Sequence, residues 1–285
     1  MINGTEREWK VRYGTLRGQQ FGQPLGEAEH LILALHGWLD NSATFQRLAP
    51  LLTNCTVLAV DLPGHGASDW LAEGGDYAIW SAVEPVFDLC EQLAGPVHLL
   101  GHSMGGAVGT LLAGAFPELV RSLIALDVAG PLATAPVQVA AQLAQSVRFK
   151  PSGRQILYPT PEAAIAARVG HNPELSADCI APVVLRNLKQ VDEQWGWCTD
   201  SRLRAPSRVR LTEEQIAGFL SKMTMPSLFV RAQGGLIPES LFRQRLAQIP
   251  AARYCELAGH HHLHLEPSTV PSVAHTINDF LESLT

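Results

Sequence analysis

The feature that most constrains the fold is the turn Gly101-His102-Ser103-Met104-Gly105. The apolar run Val97-His98-Leu99-Leu100 leads into it, and a small-residue helical pattern over 104–116 leads out. A serine with glycine two residues away on each side, set between a strand and a helix, reads as a sharp strand-to-helix turn. Such a turn needs flanking glycines because two backbones approach closely there. It exposes the Ser103 hydroxyl at the strand's C-terminal end. It also leaves the backbone N–H of Met104 at a helix N-terminus, where developing negative charge is favoured. Ser103 is the expected nucleophile, and Met104 an expected oxyanion donor.

A turn of this kind needs a buried sheet beneath it, and the rest of the chain supplies the pattern. Short apolar runs occur at 31–35, 56–60, 97–100 and 123–126, with helical patterns at 44–52, 77–93 and 104–116. Their alternation predicts an α/β architecture with a mostly parallel sheet covered on both faces. From Pro131 to about Thr224 the rhythm breaks. This stretch is rich in Ala, Gln, Arg and Pro, with helical patches and no strand–helix alternation. The rhythm resumes with a strand at 227–230, a helix at 239–248, a strand at 253–257 and a helix at 270–284. The predicted organisation is a core of 1–130 and 225–285, interrupted by a helical insertion over 131–224.

Bulk properties narrow the partners. At 285 residues the chain can bury roughly three quarters of its unfolded surface and needs no staples. The formal net charge of -6 argues against nucleic acid or an anionic membrane as the natural partner. The five cysteines are odd in number and form no Cys-x-x-Cys pair, so neither a disulfide framework nor a zinc site is expected. Cys55 and Cys255 lie in apolar stretches and read as inert core thiols. The polar segment 1–11 has no apolar signal region, and no window reaches the length of a membrane span. The expectation is a cytoplasmic monomer or homodimer acting on a small molecule without a cofactor.

A serine hydroxyl is a poor nucleophile until a positioned base takes its proton. Gly259-His260-His261-His262-Leu263-His264-Leu265-Glu266 follows the 253–257 strand and offers four histidines, of which one can be the base. A histidine-dense tract can also bind metal. Successive loop residues cannot all point one way, however, and no acidic or cysteine ligand set accompanies them, so no metal site is expected. The orienting carboxylate has two candidates. Asp127 ends the 123–126 strand. Glu239 follows Pro238, where it also suits the start of a helix. His36, His65 and His102 read as turn-bracing histidines.

These motifs resemble the α/β-hydrolase superfamily over the whole chain. The resemblance implies an eight-stranded, mostly parallel sheet with a helical cap inserted after strand six. In that fold the catalytic loop before the final helix often reads His-x-x-His/Met-x-Glu. His261, with His264 and Glu266 downstream, fits that frame; His260 is the alternative. The second oxyanion donor comes from the turn after the first buried parallel strand, here His36-Gly37-Trp38-Leu39-Asp40, which points to the Trp38 N–H. No aspartate follows the 227–230 strand, where the acid usually stands. Leu126-Asp127-Val128-Ala129-Gly130-Pro131 instead resembles the Leu-Asp-x-Ala-x-Pro stretch of pancreatic-type lipases, whose acid follows the sixth strand.

His36-Gly37-Trp38-Leu39-Asp40-Asn41, Asp200-Ser201-Arg202-Leu203-Arg204 and the tract 259–266 resemble, more narrowly, the serine hydrolase-like proteins. The implied activity is ester hydrolysis through an acyl-enzyme with Ser103, His261 and Asp127. A thioesterase, lipase or C–C hydrolase could use the same groups. A ligand-binding receptor with a vestigial triad is the rival from outside the enzymes. The insertion, with Phe149, Tyr158, Trp195 and Trp197, is expected to line an apolar acyl site.

Overall fold

A computed structural model describes residues 4–150 and 156–285. The chain opens with an antiparallel hairpin, β1 (Thr5–Val11) and β2 (Gly14–Gly22), which the polar N-terminal sequence did not announce. Next come β3 (His30–Leu35), β4 (Cys55–Asp61), α1 (Val83–Gln92), β5 (Val97–His102), α2 (Met104–Ala115) and β6 (Val120–Leu126). The predicted helix at 44–52 is instead two 3-10 turns, Ser42–Phe45 and Ala49–Leu51. Pro50 sits inside the second, and the segment spends its apolar residues plugging the sheet rather than extending a helix. Likewise, of the predicted helix at 77–93 only Val83–Gln92 is α-helical, after a 3-10 turn at Ile79–Ala82.

Between β6 and the next strand of the main sheet, the stretch expected to be an insertion, lie α3 (Val139–Arg148), β7 (Leu157–Tyr158), α4 (Pro161–His171), α5 (Ala177–Arg186), β8 (Leu188–Val191), β9 (Gln194–Trp197) and α6 (Glu213–Leu220). Sequence reading found only helices here. The three short strands form a separate sheet in the order β7-β9-β8, and runs of two to four residues leave no periodicity to detect. Ile216 and Leu220 of α6 are fully buried against the main core, and the Phe219 carbonyl lies where a side chain on Gly114 of α2 would stand. The chain then re-enters the core with β10 (Ser227–Gly234), α7 (Glu239–Leu246), β11 (Ala252–His260) and α8 (Val270–Glu282).

The main sheet has eight strands in the order β1-β2-β4-β3-β5-β6-β10-β11, and it is parallel from β4 to β11. Its two faces are read directly from residue alternation. Leu33 and Leu35 face one buried cluster with Leu99, Leu123 and Phe229. Ile32 and Ala34 face the other with Leu100, Ile124 and Val230. Both faces are covered, so β3 to β6 read as continuous apolar runs. On the second face α8 lays Val273, Ala274, Ile277, Phe280 and Leu281 against the sheet, a stripe of helical period. Val273, Ile277, Phe280 and Leu281 each contribute roughly 1.5–3 kcal/mol on full burial. Among the described residues no helix is long and apolar enough to cross a membrane.

Candidate active site

Ligands of a parallel sheet gather at the carboxyl ends of its strands, beside the point where strand order reverses. Here that edge carries His36-Gly37-Trp38 after β3, Ser103 after β5, Asp127 after β6 and His261 after β11. Ser103 adopts φ 50°, ψ -116°, a conformation an L-residue rarely takes. The surrounding glycines explain how it is held. A Cβ at Gly105 would overlap the Leu35 carbonyl of β3, and one at Gly101 would overlap the Gly106 backbone. The start of α2 is thus pressed onto the sheet. The Ser103 N–H donates to the Leu126 carbonyl at 3.1 Å, tying the turn to β6.

Asp127 is held as tightly. Its backbone also takes a positive φ of 50°, and its N–H donates to the Val230 carbonyl at 2.7 Å. Its carboxylate reaches across to the end of β10. Oδ1 accepts the Ala232 N–H at 3.0 Å, and Oδ2 accepts the Leu236 N–H at 3.2 Å. Gly235 closes this cradle, because a Cβ there would overlap both carboxylate oxygens. The β10 turn carries no aspartate of its own. β10 supplies one backbone donor, Ala232, and the turn supplies a second, Leu236, with a gap at Gly235, and together they receive a carboxylate from the end of β6.

Oδ2 of Asp127 also accepts the Nδ1–H of His261 at 2.6 Å. The contact assigns the proton to Nδ1, since the ionised carboxylate can only accept, and leaves the Nε2 lone pair for a substrate-side proton. The Asp127 side chain is fully buried, while His261 keeps some exposure. Ser103, Asp127, His261, Trp38 and Met104 line one cavity of about 1100 Å³. Tyr158, Trp197, Ile156 and Val209 of the insertion line its other side.

The remaining candidates separate cleanly. Glu239 begins α7 and pairs with Arg243 at 2.6 Å, away from the cavity. His260 is the last residue of β11, which runs three residues beyond the predicted end of that strand, and its side chain is exposed. His262 lies 3.4 Å from Asp40. His264 is fully buried against Thr44 at 2.9 Å, and burial pushes its imidazole down to about 3.

The three bracing histidines have defined partners. Nε2 of His36 accepts the Leu62 N–H at 2.9 Å, so its Nδ1–H donates to the Gly37 carbonyl at 2.7 Å and braces the Trp38 turn. Nδ1 of His65 bonds the Pro63 carbonyl at 3.1 Å, and burial pushes the ring down to about 3. His102 donates from Nε2 to the backbone carbonyl of His261 at 2.9 Å, and so steadies the loop that presents that ring. Sequence reading missed this last role, as it missed the Ala232, Gly235 and Leu236 cradle. The signal for the cradle was the pair Gly234-Gly235 where β10 ends.

The Asp200-Ser201-Arg202 stretch acts structurally. Asp200 accepts the Tyr77 hydroxyl at 2.7 Å and the Arg202 N–H at 2.9 Å, and its own N–H donates to the Gly64 carbonyl. It pins the insertion to the loop after β4. All five cysteines are free; Cys55 is buried, its thiol pushed up to about 12 by burial, and Cys255 is partly exposed.

With this geometry in hand, comparison with known proteins gives a consistent result. The model of the α/β-hydrolase fold family matches residues 30–164. A serine hydrolase-like protein of Danio rerio is 30% identical, over 98% of this chain and 88% of its own. The crystal structure of a hypothetical protein from Pseudomonas aeruginosa superposes with a TM-score of 0.88 at 32% identity, covering 99% of this chain and 100% of that one. The thioesterase domain from the curacin biosynthetic pathway shares the fold, with a TM-score of 0.81 at 23% identity, over 97% of this chain and 99% of that domain.

Proposed function

The chain belongs to the α/β-hydrolase superfamily, among the serine hydrolase-like proteins, and from that premise we propose that it is a carboxylesterase working through an acyl-enzyme on Ser103. The observation that carries this reading is the 2.6 Å contact between Asp127 and His261 in the cavity that Ser103 also lines.

The chemistry follows from the groups. Nε2 of His261 takes the Ser103 proton as Oγ attacks the ester carbonyl carbon. Asp127 holds the ring in that tautomer and stabilises the imidazolium that forms. The N–H groups of Trp38 and Met104 receive the oxyanion, each donor supporting about 10²–10³ in rate. His261 returns the proton to the leaving alcohol. Water then repeats the sequence on the acyl-Ser103 ester and frees the acid.

The insertion over 131–224 serves in this reading as a cap over the acyl site, its last helix seated on the core. Its aromatic and aliphatic lining suits a short-to-medium acyl or aryl group. The rival reading of a vestigial triad rested on a missing acid; the cradled Asp127 speaks against it.

Intact-mass spectrometry tests the proposal. Mixing with p-nitrophenyl acetate, butyrate and octanoate should give a transient acyl adduct that maps to the peptide containing Ser103. An adduct on another residue, or none with any ester, overturns it.

A further inference from the structure

We propose that Asp40, His102 and His262 form a binding site for one first-row divalent metal ion of the zinc type, beside the catalytic cavity. The three side chains come from three separate parts of the chain: the loop after β3, the last residue of β5 and the loop after β11. Their candidate ligand atoms all lie within 4.8 Å of one another. They are 1%, 1% and 6% exposed, yet all three line the cavity, which gives an ion a path in and leaves a further position to solvent.

The donor atoms are prepared for a ligand. Nε2 of His102 gives its proton to the His261 carbonyl, so Nδ1 carries a lone pair; it is buried and has no hydrogen-bond partner. A ring nitrogen whose opposite N–H is fixed by a carbonyl is the usual arrangement of a metal-ligating histidine.

Asp40 is oriented in the same manner. Its Oδ1 accepts Nη2 of Arg168 at 2.9 Å, while the buried Oδ2 makes a long, weak contact with Nε2 of His262 at 3.4 Å, and that neighbour helps hold the Asp40 carboxyl well below the usual carboxylate range. Nδ1 of the same His262 ring is buried without a hydrogen-bond partner. A separation of 3.4 Å is the edge of a tetrahedron with bonds of about 2.1 Å, the zinc–nitrogen and zinc–oxygen length. Two imidazoles and one carboxylate with an open position suit Zn²⁺ and Co²⁺.

The sequence argued against metal because successive histidines of one loop cannot all point one way. In the fold the rings of His261, His262 and His264 all pack around His102, with centroids 4.7, 5.0 and 4.2 Å away, and of these His262 is the one whose ring nitrogen groups with His102 and Asp40. An ion there would tie together the oxyanion turn, the nucleophile turn and the base loop.

The test is titration of the full chain, stripped with chelator, by calorimetry with Zn²⁺ and by visible absorption with Co²⁺. The expected result is one equivalent bound, Co²⁺ absorption of four-coordinate intensity, and an apparent Tm that rises with Zn²⁺. Affinity should fall at least about tenfold in His262→Gln and in Asp40→Asn, and stay unchanged in His260→Ala and His275→Ala, where exposed histidines are removed. If Asp40→Asn fails to fold, His262→Gln decides, its metal-free circular dichroism matching the parent. Absence of saturable binding to the parent chain overturns the proposal. So does binding that survives in the folded variants of the cluster, or that is lost with His260 or His275.

Discussion

Nδ1 of His261 stands 2.6 Å from Oδ2 of Asp127, although 134 residues separate them in sequence. The two meet because β6 and β11 flank β10, and β10 offers Asp127 the Ala232 N–H, while the turn after it offers the Leu236 N–H and the space left by Gly235.

Asp127→Asn keeps the size of the side chain but lets His261 take the wrong tautomer. The expected loss in kcat is about 10⁴, the cost of the same exchange in serine proteases. Glu239→Gln should leave kcat within about twofold, since Glu239 pairs with Arg243 at the surface of α7 and does not line the cavity. Steady-state kinetics on one p-nitrophenyl ester compares them, and the reverse ranking would return the acid's role to Glu239.

Gly235→Ala tests the cradle without touching a reacting group. The new Cβ overlaps the Asp127 carboxylate, which must move, and a displacement near 1 Å costs about 10²-fold in rate. A fall in kcat with little change in KM is expected. Unchanged kcat would mean that the carboxylate position does not matter.

Ser103→Gly should separate stability from activity. Ser103 holds φ 50°, ψ -116°, which glycine adopts without strain. Relief of about 1–3 kcal/mol is expected, read as a raised denaturation midpoint, together with loss of turnover. A lower midpoint would show that the serine conformation is unstrained.

Much of this was legible in the chain. The buried strands announced themselves because both faces are covered, and the nucleophile turn because sterics force glycine at Gly101 and Gly105. His261, singled out by its frame with His264 and Glu266, is the histidine of the tract that meets Asp127. Asp127 was ambiguous, since what holds it is the backbone of residues 232–236, and backbone donors leave no side-chain signature. The hairpin β1–β2 was missed because its first strand is mostly exposed and polar. The small sheet of the insertion was missed because its strands are too short to show a period. The Asp40, His102 and His262 cluster was invisible because its members are distant in sequence.

Stability should fall with acidification. His98 is buried between strands, its Nδ1 2.7 Å from the Ser122 hydroxyl, and burial pushes it down to about 4; His65 is pushed to about 3. Both stay neutral in the folded chain and charge in the unfolded one. Their contribution is therefore full above pH 6.5 and is lost as pH falls toward 4, by about 1.4 kcal/mol per group per pH unit. Urea midpoints at pH 7.5 and 5.0 measure this, with His98→Asn giving a shallower slope. A midpoint that rises on acidification would contradict it.

The most direct test of the central claim is steady-state hydrolysis of p-nitrophenyl butyrate by the parent chain and by Ser103→Ala. The account predicts saturable turnover in the parent and a loss of kcat on the order of 10⁶ in the variant, with residual rate from oxyanion donors and binding alone. Equal, slow rates in the two proteins would contradict it, and would mean that Ser103 carries no ester chemistry.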